Sequence, residues 1–384
     1  AGMGRSLAEA GGATGPYLGP LLRKAKGIPG DWQARAERLV REGIAPALER
    51  QMAELRAQRA LAKGDAGMLR RPHGEQWYAW GLRASTTTRR SAQDLHRMGV
   101  TQLRELHVRM DAILKSLGLM QGSVAERTAA LQKRPDMAFP DNDDGRAQIV
   151  AAMQASLDGM RARLPQAFRR LARGQLEIRR MPLAEEAGAP AAYGGPGAID
   201  GSIAGKIWVN LGDTSQHNRV TIPDLVFHEG LPGHVWQGEY AQALPLLRSM
   251  LAFNAYSEGW ALYAEDLADE LGLYDHDPAG RLGWLMGLSW RAVRLVVDTG
   301  LHAMGWSREK ALVTFMEATG LARAAAQSEV DRYCAWPGQA CGYKVGETEI
   351  LTLRAKAKAA LGARYDLRDF NQAVVDGGNV PLDV

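Results

Sequence analysis

The chain has 384 residues, 46% of them hydrophobic and 23% charged, with a formal charge of +4 at pH 7. This is an ordinary globular composition, long for one core and short for three domains. No run of about 18 uncharged apolar residues occurs, which excludes a membrane-spanning helix, and a small net charge without a compact basic–aromatic motif argues against nucleic acid.

The chain opens Ala1-Gly2-Met3-Gly4-Arg5, neither a start methionine nor a signal peptide. The expectation is a chain lacking the N-terminal part of a longer protein, with compartment and oligomeric state left open. Residues about 31–62 carry an amphipathic helical pattern. Ser91 with Asp94 forms a capping-box signature that opens a long helix through Leu95, Val100, Leu103, Leu106, Met110 and Leu114. Ser123 with Glu126 repeats the signal, and a further helix is expected from about Gly145 to Phe168. Arg161, Arg163, Arg169, Arg170, Arg173, Arg179 and Arg180 read as a solvated face. Residues 175–220 break the helical pattern, with short strand-like pieces at Leu176–Arg179 and Lys206–Leu211. Tyr193-Gly194-Gly195-Pro196-Gly197 lacks the lysine and following helix of a phosphate loop and reads as a flexible cleft wall. Thr221 and Asp224 form another capping-box signature, with Pro223 in the first turn. After Leu246 helices follow one another, broken at Gly305, Gly320, Pro337-Gly338 and Gly377-Gly378. Cys334 and Cys341 are too few for a disulfide framework and read as buried free thiols. The fold expected is mainly α: one continuous α-rich domain over 1–384, with a small sheet and cleft rim at 175–220.

The helix after the strand reads Leu225-Val226-Phe227-His228-Glu229-Gly230-Leu231-Pro232-Gly233-His234. Zinc hydrolases combine two imidazole ligands with a neighbouring carboxylate that takes a proton from water. The usual histidine spacing is four, which sets both on one helix face. A spacing of six leaves them roughly 120° apart on an undisturbed helix. Pro232-Gly233 is expected to kink the helix and return His234 to the ion. An open zinc site commonly takes a carboxylate as third ligand. Glu258 stands in an apolar, aromatic setting where a lone carboxylate is costly; pairing with an arginine such as Arg291 is the alternative. Glu265, seven residues on, faces the same way and could orient a histidine. His73, His96, His107, His276 and His302 lack ligand-spaced partners, and His217 is at most a substrate contact. The apolar helix Trp284–Val297 reads as core.

The strings His228-Glu229-Gly230-Leu231-Pro232-Gly233-His234 and Glu258-Gly259-Trp260-Ala261-Leu262-Tyr263-Ala264-Glu265 resemble the bacterial family called domain of unknown function 885. So do Arg332-Tyr333-Cys334-Ala335-Trp336-Pro337-Gly338-Gln339-Ala340, Tyr343-Lys344-Val345-Gly346 and Gly377-Gly378-Asn379-Val380-Pro381-Leu382. The resemblance runs along essentially the whole chain. It implies a helical metallopeptidase-like (zincin) domain, similar in architecture to carboxypeptidase Taq and the helical oligopeptidases, longer at the N-terminus and often exported or lipid-anchored. Many members carry a second histidine straight after the one matching His234, where this chain has Val235, so His234 must be the ligand.

Carried over, the resemblance implies zinc on His228, His234 and Glu258, with Glu229 as general base. The strand 207–211, with Val209 and Asn210, would offer backbone groups to an extended peptide. Tyr343 and Lys344 would face the site and stabilise an oxyanion, Arg332 would hold a substrate carboxylate, and Tyr333 and Tyr256 complete the candidate substrate contacts. The expected activity is zinc-dependent cleavage of peptide bonds, of a carboxypeptidase or dipeptidase kind. A zinc hydrolase of non-peptide amides or esters, or a non-catalytic binding protein with a structural metal, remain the alternatives.

Overall fold

The computed structural model describes residue 15 and residues 17–62, 66–172, 175–186 and 189–384. Residues 1–5 and Arg173, singled out in the sequence, lie outside these. The chain divides into two compact units, one of Ala1–Gly64 with Pro182–Ala187, the other of Asp65–Met181 with Gly188–Val384.

In the first unit α1 (Leu18–Ala25) is followed by α2 (Trp32–Leu39), which runs through a π-turn at Val40–Ile44 into α3 (Ala45–Leu61). Asp31 caps α2 by accepting from the Ala34 N–H at 3.2 Å. Leu18, Ala36 and Val40 form a small core. No residue of α3 is buried, so the amphipathic pattern of 31–62 yields a core face only in its first half.

The second unit holds the main core. Its helices are α4 (Gly74–Thr86), α5 (Ala92–Ser116), α6 (Val124–Gln132) and α7 (Asp143–Ala167), then, after a small sheet, α8 (Ile222–Glu229), α9 (His234–Gln242), α10 (Leu246–Met250), α11 (Asn254–Glu270), α12 (Pro278–Ala303), α13 (Arg308–Thr319), α14 (Arg323–Ala335), α15 (Gly342–Leu361) and α16 (Leu367–Gly377). Both predicted capping boxes, Ser91/Asp94 and Ser123/Glu126, close reciprocally. Leu95, Leu106, Met110 and Leu114 bury one face of α5, each contributing about 1.5–3 kcal/mol of transfer energy. Val100 is exposed instead, because Gly99 takes the packing position against Ala292 and Leu295 of α12. Among the described residues no helix is long and apolar enough to cross a membrane. Both cysteines are free, Cys341 buried and Cys334 half-buried.

The sheet has three strands, β1 (Leu176–Arg180), β2 (Ala192–Gly195) and β3 (Gly205–Val209), in the order β1-β3-β2. β3 runs parallel to β1 and antiparallel to β2. Gly205, Ile207 and Val209 turn inward, and they meet the paired helices α8 and α9. A Cβ on Gly205 would lie 2.5 Å from Val235 Cγ1, and one on Gly230 would lie 2.9 Å from Ile207 Cδ1. Glycine at both positions lets the sheet approach the segment that carries the histidines. Tyr193-Gly194-Gly195, read as a flexible wall, is the antiparallel edge strand.

Candidate metal centre

The His-Glu helix does not kink; it ends. α8 stops at Glu229, and α9 starts at His234. Pro232 has no N–H to continue the ladder, and the chain doubles back so tightly at Gly233 that a Cβ there would lie 1.9 Å from the His228 carbonyl oxygen. Two short helices thus replace one long one, and the second histidine starts the second helix. The Thr221/Asp224 capping box does not form. Thr221 has helical dihedrals (φ −104°, ψ −14°) and its side chain makes no cap bond, whereas a cap residue needs an extended backbone. Asp224 is turned inward and buried.

This break brings the two imidazoles together, with ring centroids 4.9 Å apart and planes at 86°. Glu258, one turn into α11, completes the group: its Oε2 is 3.5 Å from His228 Nε2 and 3.3 Å from His234 Nε2. Donor atoms of the three residues all lie within 4.8 Å of one another. A charge-assisted N–H···O⁻ bond would be about 2.7–2.9 Å, so these contacts are too long for ion-pair hydrogen bonds. Ligands held tetrahedrally at about 2.0–2.2 Å from zinc would stand about 3.3–3.5 Å apart. Glu258 Oε2 is buried and has no hydrogen-bond partner, as a ligand atom facing an ion would be. Burial alone would push the Glu258 carboxyl up, yet the facing His234 and His228 imidazoles hold it well below the usual range. The side chains of His234 and Glu258 remain 20% exposed while His228 is only 6% exposed, so the group is open on one side. The residues fit a zinc ion with an open coordination position.

Behind these three residues lies a tier of buried acids. His228 Nδ1 lies 2.6 Å from Glu265 Oε1, which holds the ring with its Nε2 edge toward Glu258. Glu265 is fully buried, and burial pushes its carboxyl up to about 7 against the charge of Arg291. Beyond it Asp224, also driven well above its usual range by burial and then by Glu265, continues the buried chain of acids. Arg291 thus faces these acids and not Glu258. Val235 is fully buried and packs against Gly205 of the sheet.

Glu229 lies at the end of α8, with one carboxylate oxygen 2.6 Å from the Gly194 N–H of β2. Tyr343 is brought to the site by a close crossing of α11 and α15. A Cβ on Gly259 would lie 2.4 Å from Gly346 Cα, and one on Gly342 2.0 Å from Asn254 Nδ2. Burial and then the Glu258 carboxylate raise the Tyr343 phenol.

The other predicted contacts do not join this group. Lys344 is buried and held by Glu347 at 2.5 Å, so its ammonium is not available to an oxyanion. Arg332 gives one Nη to Gln339 at 2.6 Å and the other to Glu329 at 3.1 Å. Tyr333 is buried and donates to Glu329 at 2.7 Å, and Tyr256 is buried and donates to the Val374 carbonyl at 2.7 Å. Val209 ends the middle strand and Asn210 follows it: Met181 N–H bonds Val209 O, and Asn210 N–H bonds Ala191 O. A strand paired on both sides cannot accept a peptide; β2 is the edge nearest Glu229. His217 is buried with Nε2 at 2.6 Å from the Asn210 carbonyl, a structural role.

Sequence reasoning missed Arg294. It is buried in the middle of apolar α12, with its guanidinium carbon 4.5 Å from the centroid of the Tyr343 ring. The signal was a cation inside an apolar helical run, which is costly unless something uses it.

The profile of a family described as bacterial protein of unknown function (DUF885) matches residues 5–384. No functionally curated protein matches the chain. A crystal structure of a candidate lipoprotein from Colwellia psychrerythraea is similar at a TM-score of 0.93 and 32% identity, covering 99% of this chain and 67% of that one. A candidate lipoprotein of unknown function from Shewanella oneidensis matches with a TM-score of 0.73 and 19% identity over 99% of this chain and 71% of its own, a likeness of fold.

Proposed function

Since the chain belongs to the bacterial DUF885 family, whose description names no reaction, we propose from its ligand set that it is a zinc-dependent hydrolase that cleaves peptide bonds. The observation that carries this reading is the convergence of His228, His234 and Glu258 at tetrahedral spacing, beside Glu229 and open to solvent on one side. A structural zinc site is closed and needs no adjacent base. Zinc held by these three residues would polarise a carbonyl and acidify water.

The chain's own residues then have defined tasks. Glu229 takes the proton of the attacking water and passes it to the leaving amine. The Gly194 N–H, by holding one oxygen of Glu229, fixes the direction of the other. Tyr343, near Glu258, donates its phenolic hydrogen to the oxygen that gains charge as the carbonyl is attacked. An extended peptide pairs with the outer edge of β2, where glycines at 194 and 195 keep the backbone accessible. The helical zinc-peptidase architecture implied by the sequence resemblance supports this reading, as does the lipoprotein description of the Colwellia relative for an exported location.

The test is elemental analysis of the purified chain, followed by a panel of dipeptides and blocked peptides with and without chelator. About one zinc per chain, and peptide cleavage abolished by chelator, are expected. His234→Ala should lose the ion. Full zinc content in that variant, or cleavage insensitive to chelator, would overturn the assignment; cleavage only of non-peptide amides or esters would change the substrate class.

A further inference from the structure

We propose that Ser257 is a positioning residue for His234: with Gln237 and Tyr256 behind it, its hydroxyl decides which ring nitrogen of that imidazole carries the hydrogen. The proposal rests on the metal reading of the site given above, but it is read through ion affinity and ring N–H exchange and not through turnover.

An imidazole can offer Nε2 to an ion only if its ring hydrogen sits on Nδ1. For His228 the acceptor of that hydrogen is the Glu265 carboxylate, at 2.6 Å. His234 has a hydroxyl in that place: its Nδ1 lies 3.5 Å from Ser257 Oγ. A hydroxyl can donate or accept, so by itself it settles nothing. If it donated to Nδ1, the ring hydrogen would move to Nε2 and point at Glu258, 3.3 Å away. That arrangement would close the group to a cation.

The groups behind Ser257 decide between the two. Ser257 Oγ donates to Gln237 Oε1 at 3.4 Å. Gln237 stands one turn beyond His234 on α9 and is only 7% exposed. Which end of its amide faces which neighbour follows from Tyr256. The Tyr256 hydroxyl donates to the Val374 carbonyl at 2.7 Å, and a carbonyl only accepts, so Tyr256 presents a lone pair to Gln237. Burial raises the Tyr256 phenol, and the Gln237 side chain facing it counteracts this, as an N–H donor does. With its N–H end toward Tyr256, the Gln237 amide keeps its oxygen for Ser257. The serine hydrogen is thereby committed, and the serine lone pair is left for an N–H on His234 Nδ1. One backbone carbonyl thus sets the direction of every bond as far as the ring.

The contacts at Ser257 are longer than the one at Glu265 and involve no charge, so the hold on His234 is the weaker of the two. The experiment titrates zinc alone into the chelator-stripped full chain against a chromophoric chelator. Ser257→Ala should weaken zinc binding about threefold to tenfold, and Ser257→Thr, which keeps the hydroxyl, should recover most of it. A second readout is nuclear magnetic resonance of the cobalt(II)-loaded chain. The unsubstituted chain should show two ring N–H signals in slow exchange with water, one from each histidine, and Ser257→Ala should speed the exchange of the His234 signal alone. A role in packing would not single out that signal, and the unsubstituted spectrum decides the matter if the alanine variant folds poorly. Unchanged zinc affinity in Ser257→Ala, or no protected N–H on His234, would overturn the proposal. Peptide turnover is followed separately. Lowered affinity in the variant without cleavage by the unsubstituted chain would remove the hydrolase reading and keep Ser257 in its role. Chelator-sensitive cleavage with unchanged affinity in the variant would do the reverse, and a chain that binds no zinc would end both.

Discussion

His228 Nδ1 stands 2.6 Å from the fully buried Glu265, seven residues beyond Glu258 on the same helix. One helix thus carries both Glu258 of the candidate metal group and the residue that holds the His228 ring. Glu265→Gln keeps the shape but presents an amide that can meet Nδ1 with the wrong group. We expect zinc affinity to fall about 10–100-fold, measured by competition with a chromophoric chelator. Unchanged affinity would leave Glu265 as a packing residue.

Glu229 contacts Gly194 and follows His228 without belonging to the group of His228, His234 and Glu258. Glu229→Gln should retain zinc and lose turnover by about 10²–10⁴-fold, the usual worth of a positioned acid–base group. Zinc content and rate are to be measured on the same sample. A fully active variant would remove Glu229 from the mechanism.

The crossing of α11 and α15 leaves no room for a methyl group at Gly259, where a Cβ would meet Gly346 Cα at 2.4 Å. Gly259→Ala should destabilise the fold by about 1–3 kcal/mol or more and displace Glu258 next to it. Calorimetric melting with and without zinc checks this: both the melting temperature and the increment on adding zinc should fall.

Glu329 carries a stability term of definite sign. Burial alone would raise its carboxyl, but Arg294 and Arg332 outweigh burial and hold it down at about 2, from an ordinary 4.5. A pKa depressed in the folded state contributes stability that is present above the unfolded value and is lost as the pH falls toward the folded one. Glu329→Gln should therefore cost on the order of 2–3 kcal/mol at pH 7. The gap to the unsubstituted chain should narrow between about pH 5 and pH 2. Denaturant titrations at pH 7, 5 and 3.5 would read it; a gap independent of pH would mean that Glu329 acts through packing.

The convergence of His228, His234 and Glu258 was legible because few residue types suit such a group. A histidine pair with an adjacent glutamate and a carboxylate in apolar surroundings has few other uses, and Glu265 followed from helical spacing. Lys344, Arg332, Tyr333 and Tyr256 were misread because a sequence does not say whether a polar group will find its partner within the fold. Glu347, Gln339, Glu329 and the Val374 carbonyl are those partners. The substrate edge was misread for a different reason. β3 carries the strongest strand residues, Ile207, Trp208 and Val209, and it lies between two strands, a pairing that closes it to anything else. β2, with two glycines, has little intrinsic preference for the extended state and exists through its register with β3. The helix break was half legible: proline and glycine promised a bend, but the tight return at Gly233 depends on atoms of Phe227 and His228 that only the folded chain brings there.

That break also separates the fates of the two imidazoles. His228 is locked at the end of one helix by a buried acid, while His234 begins the next and is partly open to solvent. Fraying at the start of the second helix would release one donor and leave the other two in position. An ion could then enter or leave through a local opening of a single turn, so its exchange rate need not follow the rate at which the whole molecule unfolds.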